Sequence, residues 1–262
     1  MFSRKAKQQF MSNIKPRVEV LLACALFFPS IKHAEAQQPV SAPQGPSAAV
    51  LDKAVLDTDP WDVGAVVQGG AGVGDRSSFH FLSAGLHLGK VLTSPGGPGL
   101  LHGQFEYAGE LYPYWQAFTP APHMQTVNFK VNGQTYSELV SYAGGTFSGV
   151  SLTPIILRWN FRTHSSAAVP QRFVPWFQGA GGLVWTNHKF PPDIIVVHGT
   201  PGGTSVFNFT PQFGIGFNYF VKPRRSISFA ANAIHISSAS LGDRNPGVNA
   251  SVQFQLGYNW WK

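Results

Sequence analysis

From Phe207 to Tyr219 apolar and polar side chains alternate. Phe207, Phe209, Phe213, Ile215, Phe217 and Tyr219 share one parity, and Asn208, Thr210, Gln212, Gly214, Gly216 and Asn218 share the other. A two-residue period marks a strand whose two faces meet different surroundings. The end of the chain repeats it, with Val252, Phe254, Leu256, Tyr258 and Trp260 set against Ser251, Gln253, Gln255, Gly257 and Asn259. Residues 100–118 do the same, with Phe105, Tyr107 and Leu111 opposing Gln104, Glu106, Ala108 and Glu110. Eight candidate strands emerge, at roughly 61–72, 77–92, 100–118, 146–161, 172–186, 205–220, 225–237 and 249–261. From Trp61 onward no helical period competes with them.

The chemistry of the polar face separates a soluble sandwich from a barrel. A sandwich turns Lys, Glu and Thr to water, whereas here the polar face is Asn, Gln, Ser and Gly. Charged residues are 12% of the chain, about half the ~25% of ordinary soluble domains. The strands exceed the roughly five or six residues typical of globular sheets and reach the ~9–11 that cross a bilayer at a tilt. The expected fold is therefore all-β, an eight-stranded antiparallel up-and-down outer-membrane β-barrel over residues 61–262. Its aromatic face would meet lipid and its lumen would be filled by hydrogen-bonded side chains. Segments 93–99, 162–171 and 221–224 would be periplasmic connections, and the longer 119–145, 187–204 and 238–248 extracellular ones. Only the first connection, around Gly74-Asp75-Arg76, is shorter than that pattern. Tyr258, Trp260 and Trp261 would join an interfacial aromatic girdle.

Residues 1–36 read as a secretory signal. Arg4, Lys5, Lys7, Lys15 and Arg17 precede the apolar run Val20–Phe28, Pro29 breaks it, and Ala34-Glu35-Ala36 supplies a small-x-small cleavage site. That run is too short for a membrane-spanning helix. A lipoprotein reading through Cys24, after Leu21-Leu22-Ala23, is the alternative. Residues 37–60, rich in Ala, Pro, Gln and Asp, read as a flexible or partly ordered lead-in. The formal charge of +7, from 19 Lys+Arg against 12 Asp+Glu, owes most to the signal. Removing its six basic and two acidic residues leaves 13 against 10, a formal +3, and removes the single cysteine. Nucleic acid is thus not an expected partner, and no disulfide framework is available. The nine histidines lack ligand-like spacing, with His80 and His87 on opposite faces of one strand, so no metal or cofactor is expected. Gly70-x-Gly72-x-Gly74 has no following helix to cradle a phosphate and reads as strand glycine.

One segment carries chemistry. His235 and Ser237 lie two apart on a strand and leave the same face, an imidazole beside a hydroxyl being the minimum for a base-activated nucleophile. Stepping back through Ala233, Ala231, Phe229 and Ile227 puts that face toward lipid, at the extracellular end of the seventh strand. With Asn245-Pro246-Gly247 and the aromatic last strand, His-x-Ser resembles the outer-membrane lipid A 3-O-deacylases, most closely over about 233–261. The resemblance implies Ser237 as nucleophile, His235 as general base, and Asn245 as oxyanion donor. Ser240, standing where the family has glycine, is a second oxyanion candidate, and Ser238 stands where it has asparagine. The family's triad acid, a glutamate, is replaced by Asn249. An asparagine can accept the imidazole N–H but cannot stabilise an imidazolium by charge. Asp243 is a nearby candidate for a substitute acid, Glu106 and Glu110 are more remote ones inside the expected lumen, and alternation places Asn249 on the polar face unless a bulge near Gly247 resets the phase. The implied activity is removal of an ester-linked acyl chain from lipid A of lipopolysaccharide, with no cofactor, and a homodimer is left open. The alternatives are a catalytically inactive lipid-binding or structural barrel of the same family and, more remotely, a small channel.

Overall fold

Eight staves close on themselves in the computed structural model, which describes residues 56, 58–162, 171–192, 205–222, 224–239, 241 and 249–262. The strands are β1 (Trp61–Gly72), β2 (His80–Val91), β3 (Gly103–Phe118), β4 (His123–Val131), β5 (Gln134–Tyr142), β6 (Thr146–Phe161), β7 (Phe173–Phe190), β8 (Ser205–Phe209), β9 (Gln212–Lys222), β10 (Arg225–His235) and β11 (Ala250–Trp261). Pairing runs β6-β3-β2-β1-β11-β10-β9-β7-β8, and a further β6–β7 ladder closes the ring. Every ladder is antiparallel. The barrel is the one expected, with the sixth stave divided into β8 and β9 at Thr210-Pro211. Reciprocal backbone hydrogen bonds between Thr210 and Gly182 keep that stave on β7. Most of the expected signal and lead-in lies outside the described residues.

Alternation sorts the side chains as the sequence implies. Gln68, Gln104, Glu106, Gln178, Asn218, Asn232, Gln253, Gln255 and Asn259 are buried inside. Outside, Leu86 is 59% exposed, Ile215 57% and Leu256 53%, within a belt that includes Val67, Leu88, Leu157, Phe213 and Phe254. So continuous an apolar surface is stable only where lipid covers it. Pro113 and Pro154 sit at register shifts on β3 and β6, where a missing N–H costs no ladder bond. Gly85 occupies the β2–β3 shift. A Cβ there would collide with the Leu111 carbonyl.

The structure adds plugs at the lumen ends and a hairpin to the expected barrel, and it corrects the placement of Trp261. Aromatic and aliphatic side chains plug both ends. Phe79, Phe81, Trp115, Phe147, Phe190, Ile234 and Ile236 pack at one end, and Leu56, Val91, Val174, Phe220 and Trp261 at the other. Trp261, expected in the girdle, is 1% exposed. Its parity turns it inward, where the indole N–H donates to Ser226 Oγ at 2.8 Å. Leu56, in the lead-in, joins the same plug while its carbonyl accepts from Gln104 Nε2 at 2.9 Å. Finally, the connection 119–145 contains the β4–β5 hairpin.

Candidate functional site

The outer face of β10 runs through Ile227, Phe229, Ala231 and Ala233 to His235, while Ser226, Ser228, Ala230, Asn232 and Ile234 point inward. The alternation persists one step past the named strand: Ile236 and Ser238 are buried, and His235 and Ser237 are half-buried on the outside. Backbone bonds hold this extension straight. The His235 N–H donates to the Pro211 carbonyl at 3.0 Å and the Ile236 N–H to the Asn249 carbonyl at 2.8 Å. Ser237 exchanges two bonds with Phe209, at 2.7 and 3.0 Å. Imidazole and hydroxyl thus stand side by side on one face, their backbones about 6.6 Å apart.

Immediately afterwards the chain turns. Ala239 has φ of 49°, and its N–H donates to Ser237 Oγ at 3.1 Å. The surroundings are apolar: register places Phe209 across from Ser237, and Phe213 and Val252 on either side of Ala233. This end of the barrel carries the 119–145, 191–204 and 236–249 connections, the extracellular side for an outer-membrane barrel.

The other candidates separate into two groups. Ser240, Asp243 and Asn245 lie outside the described residues. Asn249 is described, and the structure does not bring its side chain to His235. Its carbonyl accepts from Ile236, its side chain is buried on the inner face, and neither Oδ1 nor Nδ2 has a hydrogen-bond partner. β11 follows it in unbroken alternation, with Ser251 buried and Val252 exposed. Nothing therefore resets the phase between Asn249 and the strand. Glu106 and Glu110 lie in the lumen, as expected, but near the far end, too distant to serve His235 as substitute acids. There Glu110 Oε1 lies 3.0 Å from His87 Nδ1, and Glu106 accepts from Arg158 at 3.1 Å and Asn160 at 2.7 Å.

That lumen cluster is the feature sequence spacing does not reveal. Asp62, His87 and Glu106 come from β1, β2 and β3, and one potential ligand atom of each lies within 4.8 Å of the others. Each has the inward parity of its strand, a signal available in the sequence. Their convergence depends on register, which is not.

The family model described as lipid A 3-O-deacylase (PagL) matches residues 104–259. Comparison with curated protein sequences gives no match. Among solved structures, the outer membrane enzyme PagL is similar at 15% identity and TM-score 0.38, covering 76% of this chain and 98% of that one. Neisserial surface protein A is similar at 12% identity and TM-score 0.41, covering 77% and 96%. OprG from Pseudomonas aeruginosa is similar at 11% identity and TM-score 0.34, covering 78% and 93%.

Proposed function

The chain belongs to the PagL family of lipid A 3-O-deacylases, outer-membrane barrels, and from that premise we propose that it is a serine esterase acting on lipid A. The observation that carries the reading is the shared outer face of His235 and Ser237 at the extracellular end of β10. An ester at the headgroup boundary can reach this face without leaving the bilayer. A His-Ser pair has little to gain from hydrocarbon contact alone.

In the proposed reaction His235 removes the Ser237 hydroxyl proton as Oγ attacks the ester carbonyl carbon. The tetrahedral oxyanion is met by donors from the following loop, with Asn245 and Ser240 as candidates. Collapse breaks the bond to the sugar oxygen, which takes the proton from His235. Water, deprotonated by His235, then cleaves the acyl-Ser237 ester and releases the fatty acid. Phe209, Phe213 and Val252 offer the acyl chain an apolar track beside the serine. No cofactor is needed.

A second reading, an inactive lipid-binding barrel, is favoured by one observation: Asn249 replaces the family's glutamate and faces the lumen. Loss of a triad acid can cost ~10⁴ in rate. A fluorophosphonate probe separates the two. An esterase is expected to be phosphonylated at Ser237, as read by peptide mass spectrometry, with labelling lost in His235→Gln. A folded wild-type barrel that remains unlabelled would favour the inactive reading.

A further inference from the structure

We propose that the lumen binds a divalent transition-metal ion, zinc foremost, through His87 Nε2 and the carboxylates of Asp62 and Glu106. The site lies near the periplasmic end. Asp62 accepts from Asn259 Nδ2 at 3.1 Å, and Asn259 pairs with Ser226, at the opposite end of β10 from His235. Along that strand the separation is about 30 Å, so this site is no part of the esterase machinery.

The first observation is donor geometry. His87 Nε2 lies 3.4 Å from Asp62 Oδ2 and 3.7 Å from Glu106 Oε1. Tetrahedral zinc with bonds of ~2.0–2.2 Å separates neighbouring donors by roughly 3.3–3.6 Å. Yet Nε2, on a side chain 2% exposed, makes no hydrogen bond, and neither does the buried Asp62 Oδ1. An ion seated among these donors would satisfy both buried atoms.

Tautomer and support provide a second observation. His87 Nδ1 is 3.0 Å from Glu110 Oε1, so a proton on Nδ1 donates to that carboxylate, and Nε2, which faces Asp62 and Glu106, would give up any proton of its own to offer the ion its lone pair. Glu110 is itself fixed by Tyr112 at 2.7 Å and Gln255 at 2.8 Å. A carboxylate orienting a histidine whose other nitrogen meets a metal is the usual outer support of such sites. Glu106 is held by Arg158 and Asn160.

Space and charge agree. Gly89 pairs with Asp62 in register, and a Cβ there would lie 2.7 Å from Glu106 Oε1 and 3.1 Å from His87 Nε2. The missing side chain leaves room beside the donors. Within the cluster three carboxylates face one permanent cation, Arg158. A protonated His87 would leave one negative charge over, whereas a neutral His87 with a divalent ion brings the sum to zero. Bound metal would clamp β1, β2 and β3 together. Because the Leu56–Trp261 plug closes that end, the ion is expected to enter as the barrel folds.

The test uses the untagged full-length protein refolded in detergent with excess zinc or manganese chloride, then passed through gel filtration with EDTA. Bound metal is read by plasma mass spectrometry and folding by heat-modifiable gel mobility. Wild type is expected to retain about one ion per chain. His87→Gln is expected to retain at least about tenfold less, and Glu110→Gln to bind roughly 10- to 100-fold more weakly. Gly89→Ala keeps every ligand but fills the space, and is expected to fold with less metal. A folded wild-type barrel that keeps neither ion overturns the proposal, as does a folded His87→Gln barrel that retains the wild-type amount. Neither readout involves lipid A.

Discussion

Ser237 stands where the β10 ladder gives way to a turn, its backbone still paired to Phe209 and its Oγ accepting from Ala239. Replacing it with alanine removes neither backbone bond, so Ser237→Ala is expected to fold normally by gel mobility. It should lose deacylation by about 10³-fold or more. His235→Gln is expected to lose about 10²–10⁴-fold. Asn249→Ala is expected to change the rate by less than about threefold, under 1 kcal/mol, since its side chain faces the lumen. Counting parity along β10 suffices to put His235 and Ser237 on the lipid face, and the same count puts Asn249 inside. The family motif points the other way for Asn249, because a motif records which residues stand in order and not which face the local phase presents. The partner of the His235 imidazole is therefore not legible from the motif.

For the strands, side-chain parity decides what a substitution costs. Ile215 on β9 faces lipid, so Ile215→Arg is expected to destabilise the barrel by about 2–4 kcal/mol if it lies near the midplane. Arg158 on β6 is buried against Glu106. Arg158→Met strands that carboxylate and is expected to cost about 3–5 kcal/mol. Urea titration of folded barrel in lipid vesicles checks both. Seven of the eight expected staves appear as single strands close to their expected ranges, because each has one apolar and one amide-rich face. The β4–β5 hairpin was legible too. Val127, Phe129 and Val131 alternate up to Asn132-Gly133, a pair suited to a two-residue turn with positive φ, here 52° and 79°. Its position inside a long connection obscures it. The break at Thr210-Pro211 is signalled by the proline, which cannot donate to a ladder.

For the whole molecule, the two lumen plugs matter most. Phe147, Phe190, Phe220 and Trp261 are fully buried, and the polar layer between the plugs is cross-linked by side-chain hydrogen bonds such as Gln68 Nε2 to Gln253 Oε1 at 2.9 Å. Planar bilayers containing the barrel are expected to show no steady conductance, whereas stable single-channel steps would contradict a filled lumen. Alternation announces a barrel but not its plugs, because an aromatic residue reads alike whether it meets lipid or fills a lumen end. Trp261 shows this: only its odd parity distinguishes it from its neighbour Trp260. The low charge content fits the whole, since neither a lipid-covered exterior nor a packed interior favours ionised groups. The most direct test of a lipid A esterase is mass spectrometry of lipid A after incubation with the purified, reconstituted barrel. The expected result is loss of one ester-linked acyl chain, with the matching free fatty acid, for wild type and not for Ser237→Ala. Unchanged lipid A with folded wild type, or equal release by Ser237→Ala, would contradict it.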